Sequence, residues 1–326
     1  MNKYLSKKIW EMRKNIKPEP DTPLVSLMKI ADGVYQLLFL SIGCRNSCTF
    51  CNYGFDYVLT LLNVMPELRK ITLSNDIKIL ELEANGSFMD EREIPYDLFL
   101  ETLKFVAHKV PKITIETHYK TITEKKIQDI RSILGWEQDL SFEVGLESVN
   151  ERVRKIYNKD IDLKEFLKVA ELCERYGASI EANILLGAPF LTREEQIQDC
   201  LNSLEWLYTN MPKGTTAVLF PINIKENTMV WLWRERGLYK QITSWEFVEL
   251  LRRIPEEYLD RLTIAWWGER ENAFTKDIST FPITCEKCKK RLMRFYNDFY
   301  NNCDIDYRKR IIDEIWKSHC ECDKAK

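Results

Sequence analysis

Short apolar runs alternate with amphipathic stretches along most of this chain, and that rhythm constrains its fold more than any other feature. Val34–Ser41 (VYQLLFLS), Ile77–Glu83, Ile113–Thr117, Leu140–Leu146, Ser179–Leu186 and Thr216–Ile222 read as six strands, rich in β-branched residues. Their apolar character predicts strands buried on both faces. Helical spacing fills the gaps over Pro95–Lys109, Thr123–Leu134, Leu163–Tyr176 and Thr192–Leu207. Gly177 supplies a stop, and Thr192 with Glu195 has capping-box spacing. Repeated strand–helix units imply a parallel sheet. Six units give an α/β fold with an open or partial (β/α)6 barrel, two units short of a closed eight-fold one. Ligands of such sheets sit at the C-terminal strand ends. The rhythm ends near Asn223. We expect a basic extension over 1–33, a barrel over 34–235, and a helical, Trp- and Cys-rich C-terminal extension over 236–326 packed on it.

Ten cysteines occur in 326 residues, and they cluster. Met1–Lys8 has no apolar stretch of a secretory signal, so a disulfide framework loses its premise. The longest run free of Asp, Glu, Lys and Arg is 12 residues, Gly33 to Cys44, too short to span a bilayer. A cytoplasmic protein with no membrane partner is expected. Clustered cysteines there point to metal. Cys173 and Cys200 stand alone in helical patterns and read as packing.

The first cluster, Cys44, Cys48 and Cys51, follows the first strand with C-x3-C-x2-C spacing. Three thiolates on one loop hold three irons of a [4Fe–4S] cluster and leave the fourth iron open to a small molecule. A structural zinc loop with a distant fourth ligand is the alternative. Placed after the first strand of a βα repeat, the motif closely resembles that of the radical S-adenosylmethionine (radical SAM) superfamily. The resemblance implies a radical SAM barrel, SAM chelated to the open iron, and a one-electron donor such as flavodoxin or ferredoxin. Reductive cleavage would give methionine and a 5′-deoxyadenosyl radical that abstracts a substrate hydrogen. Phe50 matches the aromatic that contacts adenine, and Tyr53 joins the cofactor-binding set.

The resemblance also assigns the rim. Asn85, Gly86 and Ser87 match the small-residue turn whose backbone binds the SAM amino group. Glu116 and Glu147 stand where a carboxylate takes ribose hydroxyls or positions substrate, with Ser148 beside the latter. Gly187 would let adenine approach the backbone, and Asn223 faces substrate. Glu116, His118, Glu147 and Asn223 are the candidate catalytic residues. The stretches CTFCNYG, NGSFMDEREIP, VGLESVNERVR, GAPFLTREEQIQDC and FPINIKENTMVWLWRERGLY are similar to one branch of the superfamily. That branch holds the archaeosine-forming radical SAM lyase and, more remotely, the catalytic subunit of Elongator, whose acetyltransferase domain is missing here. Its members act on tRNA, and the lyase cleaves a lysine adduct on a modified guanine to leave an amidine. Two pocket positions depart from the branch. His118 replaces an expected Arg, and Gly187-Ala188-Pro189-Phe190 replaces Lys-Pro-Pro-Phe.

Cys285, Cys288, Cys320 and Cys322 form a second thiol set, brought together from two segments. Paired cysteines of this kind suit structural Zn²⁺, with an auxiliary Fe–S cluster as the alternative. Cys303 reads as helix packing, and His108 and His319 as surface residues. The formal charge of -2 gives tRNA binding no support. Residues 1–20 carry six basic against two acidic residues, and 285–326 eleven against eight, leaving the middle acidic. A basic end is more often solvated than nucleic-acid-bound, and the charge fits a small metabolite or peptide better. A non-catalytic Zn or Fe–S binding module is the reading from another class.

Overall fold

Each expected strand exists because its odd and even residues meet different surroundings. The computed structural model describes residues 2–14, 16, 21–53, 57–265, 267, 279, 280 and 282–320. Its elements run α1 (Lys3–Arg13), β1 (Val25–Ala31), β2 (Val34–Phe39), α2 (Leu61–Leu68), β3 (Ile79–Ala84), α3 (Tyr96–Val106) and β4 (Lys112–Glu116). There follow α4 (Glu124–Leu134), β5 (Asp139–Glu147), α5 (Glu151–Ile156), α6 (Leu163–Arg175), β6 (Ala178–Leu186), α7 (Arg193–Asn210) and β7 (Thr216–Pro221). The rest are β8 (Ile224–Lys225), α8 (Met229–Glu235), α9 (Ser244–Arg253), β9 (Leu262–Ile264), β10 (Ser279–Thr280), α10 (Glu286–Asn301) and α11 (Ile305–Lys317).

The main sheet has the order β1-β2-β3-β4-β5-β6-β7-β9. β2 to β7 are parallel, each beside its sequence neighbour, which is the curled half-barrel expected. Two further strands extend it. β1 pairs antiparallel with β2 across an Asp32-Gly33 turn in which Gly33 has φ 75°. That pair of residues is a strong hairpin signal. β9 adds in parallel to β7, so part of the C-terminal segment completes the sheet.

Burial on both faces is not what the strands show. In β3, Leu80, Leu82 and Ala84 are buried while Ile79, Glu81 and Glu83 are only half-buried. The same alternation recurs in β6, with Glu181 and Asn183 on the half-buried face. The outer face packs on the helices and carries the core. The inner face carries Glu and Asn into a cavity, so the strands read as apolar on one side only.

The helices start and stop where their caps dictate. Thr192 and Glu195 form the expected capping box on α7, and Gly177 follows α6 at φ 65°. α1 was legible only as basic residues, yet it is a helix with Ile9 and Arg13 buried. Among the described residues no helix is long and apolar enough to cross a membrane.

Candidate active site and a second thiol cluster

β2 delivers the chain to Ser41, and the loop that follows carries the first three cysteines over the strand ends. Cys48 is buried, while Cys44 and Cys51 are half-buried. The loop is pinned on several sides. Thr49 donates from its backbone to Tyr157 O at 3.0 Å and from its hydroxyl to Ile156 O at 3.1 Å. Asn158 reaches Ser47 O at 2.8 Å, and Phe50 stacks edge-on against Tyr157 at 5.2 Å. Backbone N–H groups of Asn46 and Tyr53 approach Cys44 Sγ and Cys51 Sγ at 3.4 and 3.5 Å. Such donors favour a thiolate once a metal takes the proton's place. Burial pushes the free thiols of Cys44 and Cys48 up, so metal loading must release protons.

Gly86 is the floor of the site. A Cβ there would stand 2.4 Å from Cys44 Cβ, so only glycine lets this turn press on the cysteine. Asn85 is buried and donates to Ser41 O at 3.2 Å, and among the described residues its Oδ1 has no hydrogen-bond partner. Ser87 is turned inward. Its N–H donates to Glu93 Oε2 at 3.1 Å, and its hydroxyl lies 2.7 Å from Thr117 Oγ1. Burial pushes the Glu93 carboxyl up to about 7.

A cavity of about 460 Å³ opens from these cysteines into the half-barrel. Phe50, Tyr53, Asn85, Gly86, Glu116, His118, Glu147 and Asn223 line it. Ser87, Ser148 and Gly187 do not. Ser148 is buried and donates to Asp199 Oδ1 at 2.9 Å. Gly187, at φ 113°, is required by packing, because a Cβ would lie 2.4 Å from Ile222 Cγ2.

Three lysines that sequence spacing did not single out complete the electrostatics. Lys159 Nζ pairs with Glu147 Oε1 at 2.8 Å, with side chains only 12% and 7% exposed. Glu147 itself has φ 66°, at a register shift between β5 and β6, and a bulge of this kind re-aims a side chain. Burial lowers the pKa of Lys159, but Glu147 and the neighbouring Cys48 outweigh it and raise the pKa above its ordinary value. Lys225 stands 4.5 Å over the Tyr53 ring, and burial against it is outweighed by Tyr53 and Cys51. Lys112 pairs with Glu181 at 2.7 Å.

Glu116 is pushed up to about 8 by burial and by Glu81, against the pull of Lys159 and Lys225. Burial and Lys159 push His118 down to about 3, so its imidazole is neutral. His118 Nδ1 accepts from Lys120 N at 3.2 Å, which leaves the proton on Nε2. The cavity therefore offers a protonated carboxyl, a neutral imidazole, an ion pair and an apolar aromatic wall.

The C-terminal thiols differ in spacing. Among the described residues, Cys285, Cys288 and Cys320 are the one trio of His, Cys, Asp or Glu whose ligand atoms all lie within 4.8 Å. Tetrahedral zinc with Zn–S of about 2.3 Å needs sulfurs about 3.8 Å apart, so this trio suits a single ion. The sulfurs of Cys44, Cys48 and Cys51 do not all lie within 4.8 Å of one another. Cys322 lies outside the described residues, as does Trp266. Cys285 caps α10 and Cys288 sits in its first turn, where the helix dipole favours thiolate. Arg291 Nη2 lies 3.4 Å from Cys288 Sγ.

Two readings of single residues need correction. Cys303 lies between α10 and α11, exposed, rather than packed inside a helix. His319 is not a bare surface residue, because its ring sits 4.7 Å from Trp245 and 4.9 Å from Trp316. Cys173 and Cys200 are buried in the core, and His108 is exposed, as expected.

Comparison with known proteins adds an independent line. A family profile described as the radical SAM superfamily matches residues 38–202. Archaeosine synthase subunit beta of Methanosarcina acetivorans is 25% identical over 97% of this chain and 96% of its own length. The protein of the same name from Thermococcus kodakarensis is 24% identical over 74% of this chain and 75% of its own. Among solved structures, archaeal Methanocaldococcus infernus Elp3 aligns with TM-score 0.51 at 16% identity, over 82% of this chain. The chain spans 63% of that Elp3 chain. Methylornithine synthase gives TM-score 0.51 at 14% identity, over 81% and 71%.

Proposed function

This chain belongs to the radical SAM superfamily, and from that premise we propose that it cleaves SAM to act on a modified base of tRNA, by bond cleavage in the manner of a lyase. The near full-length likeness to archaeosine synthase subunit beta carries the substrate reading. When bound, a [4Fe–4S] cluster and SAM supply an electron and a 5′-deoxyadenosyl radical that takes hydrogen from substrate.

The chain's own residues provide the rest. Cys44, Cys48 and Cys51 would hold the cluster, and Gly86 lets the turn after β3 press against Cys44. Lys159, already charged and buried beside the thiols, receives the carboxylate of SAM while Glu147 keeps it oriented. It supplies a cation in a pocket where His118 stands in place of an expected arginine. Phe50, braced by Tyr157, faces adenine. Glu116, protonated near neutral pH, donates to a ribose or substrate oxygen. Asn223 and Tyr53 border the substrate end of the cavity. The electron comes from a flavodoxin- or ferredoxin-type donor.

Cys285, Cys288, Cys320 and Cys322 hold zinc in this reading. The short sulfur spacing supports one ion over an auxiliary cluster. The metal ties the C-terminal extension, 236–326, back to itself beside the barrel of 34–235. We also propose a cytoplasmic location.

A second reading, the same chemistry on a small metabolite or peptide, is favoured by one observation. The cavity of about 460 Å³ mixes glutamates with lysines, among them the pairs Glu147–Lys159 and Glu181–Lys112, a lining that suits a small zwitterionic molecule. Reduced, reconstituted enzyme with SAM and a tRNA bearing a lysine–guanine adduct separates the two. Conversion of the adduct, seen as a mass change in the released nucleoside, supports tRNA. SAM cleavage with an unchanged adduct and no tRNA binding at low salt supports the second.

A further inference from the structure

The N-terminal helix ends in a side chain that has no business in a solvated tail. Arg13 is 1% exposed. Its guanidinium donates to Asn46 O at 2.6 Å, to Cys51 O at 2.9 and 3.2 Å, and to Cys44 O and Cys48 O at 3.4 Å. These carbonyls belong to all three candidate iron ligands and to the loop between them. Among the described residues, no carboxylate pairs with Arg13. A buried guanidinium is costly unless its charge is answered. Backbone carbonyls answer the hydrogen bonds, and thiolates formed on the same loop when metal loads would answer the charge. The helix is tied to the same loop at its start, where Ser47 Oγ and Asn158 Nδ2 lie 2.7 and 3.1 Å from Ser6 Oγ.

We propose that Arg13 is a positioning residue for the [4Fe–4S] cluster. It fixes the backbone of the cysteine loop and places a positive charge behind it, so that docking of α1 and loading of the cluster stabilise each other. The reciprocity is thermodynamic, since what iron adds to α1 docking, α1 docking adds to iron affinity. This rests on Cys44, Cys48 and Cys51 being the iron ligands.

The test uses anaerobically reconstituted full-length protein. Arg13→Gln removes the charge and the fork, and Arg13→Lys keeps the charge alone. Removing an outer hydrogen-bond partner of a metal ligand costs roughly 10- to 100-fold in affinity, so iron release to a chelator should accelerate by that factor in Arg13→Gln. Its reduced cluster loses a nearby cation, so the midpoint potential should fall. Arg13→Lys should keep the potential near that of the native protein while iron still leaves faster. Hydrogen exchange on the native protein needs no variant, and α1 amides should exchange more slowly with the cluster than without it. Native iron release and potential in Arg13→Gln, or α1 exchange indifferent to the cluster, overturns the proposal. A native protein that takes up no iron at Cys44, Cys48 and Cys51 instead overturns the ligand assignment beneath it.

Discussion

A single methyl group tests how tightly the rim is built. Gly86→Ala places a Cβ 2.4 Å from Cys44 Cβ and 2.6 Å from its Cα, which is backbone and cannot swing aside. Overpacking of this kind costs about 1–3 kcal/mol, and here the strain falls on a candidate iron ligand. The variant should fold, melt lower, and hold less than half the native iron, measured by iron analysis. Lys159 is the second residue to probe. Lys159→Met leaves Glu147 buried and unpaired, which costs about 3–5 kcal/mol, and removes the cation assigned to SAM. Isothermal titration should show SAM binding weakened roughly 10-fold or more, as loss of a charged hydrogen bond worth about 1.5–3 kcal/mol implies. The control Glu147→Gln, which keeps the lysine, should bind SAM better than Lys159→Met does. Glu116 gives a pH signature. Its carboxyl binds a proton more tightly in the folded chain, up to about 8, than at its ordinary value of 4.5. Its contribution to stability is therefore fully present below about pH 4.5 and lost as pH rises toward 8. Thermal melts of metal-free Glu116→Gln across this window should depend less on pH than native melts; equal slopes would refute the shift.

At the scale of elements, patterns written in local periodicity were legible and those made by distant backbone were not. The six parallel strands and the helices α3, α4, α6 and α7 follow from apolar spacing and caps. β1 was missed although Asp32-Gly33 announces its hairpin, because VSLMKIA is half-buried along most of its length and shows no clean alternation. β9 is three residues long, too short to carry a period. The three thiols of the cysteine loop were visible from spacing alone, whereas Lys159 comes 12 residues after Glu147 and meets it only through a bulge. Buried arginines were invisible because their partners are carbonyls, which every residue has. Arg131 collects Gly135, Gln138, Tyr176 and Gly177 this way, and Arg308 collects Phe299, Asn302, Leu259 and Leu262. The C-terminal thiol trio makes an element-scale prediction. A Cys44/Cys48/Cys51→Ala variant should lose its iron and retain about one equivalent of zinc. Cys288→Ser should do the reverse, with a lower melting temperature. Residual iron in the first variant, with no zinc, would make the second site an iron–sulfur centre instead.

For the molecule as a whole, charge is distributed against depth. Carboxylates line the inside of the half-barrel, while Lys3, Lys7, Lys8 and Lys14 are exposed on the helix that covers the cysteine loop. Lys112, Lys159 and Lys225 stand among those carboxylates, and in our reading a tRNA substrate keeps its backbone on the exposed lysines outside and sends in only a base. Binding should then be weak and strongly salt-dependent, measured by filter binding between about 50 and 200 mM salt. Indifference to salt would point to a small substrate. The radical chemistry stands apart from that choice and is reached most directly without substrate. Reconstituted, anaerobically reduced protein is mixed with SAM, and 5′-deoxyadenosine is quantified beside a Cys48→Ala variant. Native protein should accumulate 5′-deoxyadenosine and methionine together while the variant stays at background. An iron-loaded native protein that binds SAM and produces no more 5′-deoxyadenosine than Cys48→Ala would contradict the assignment.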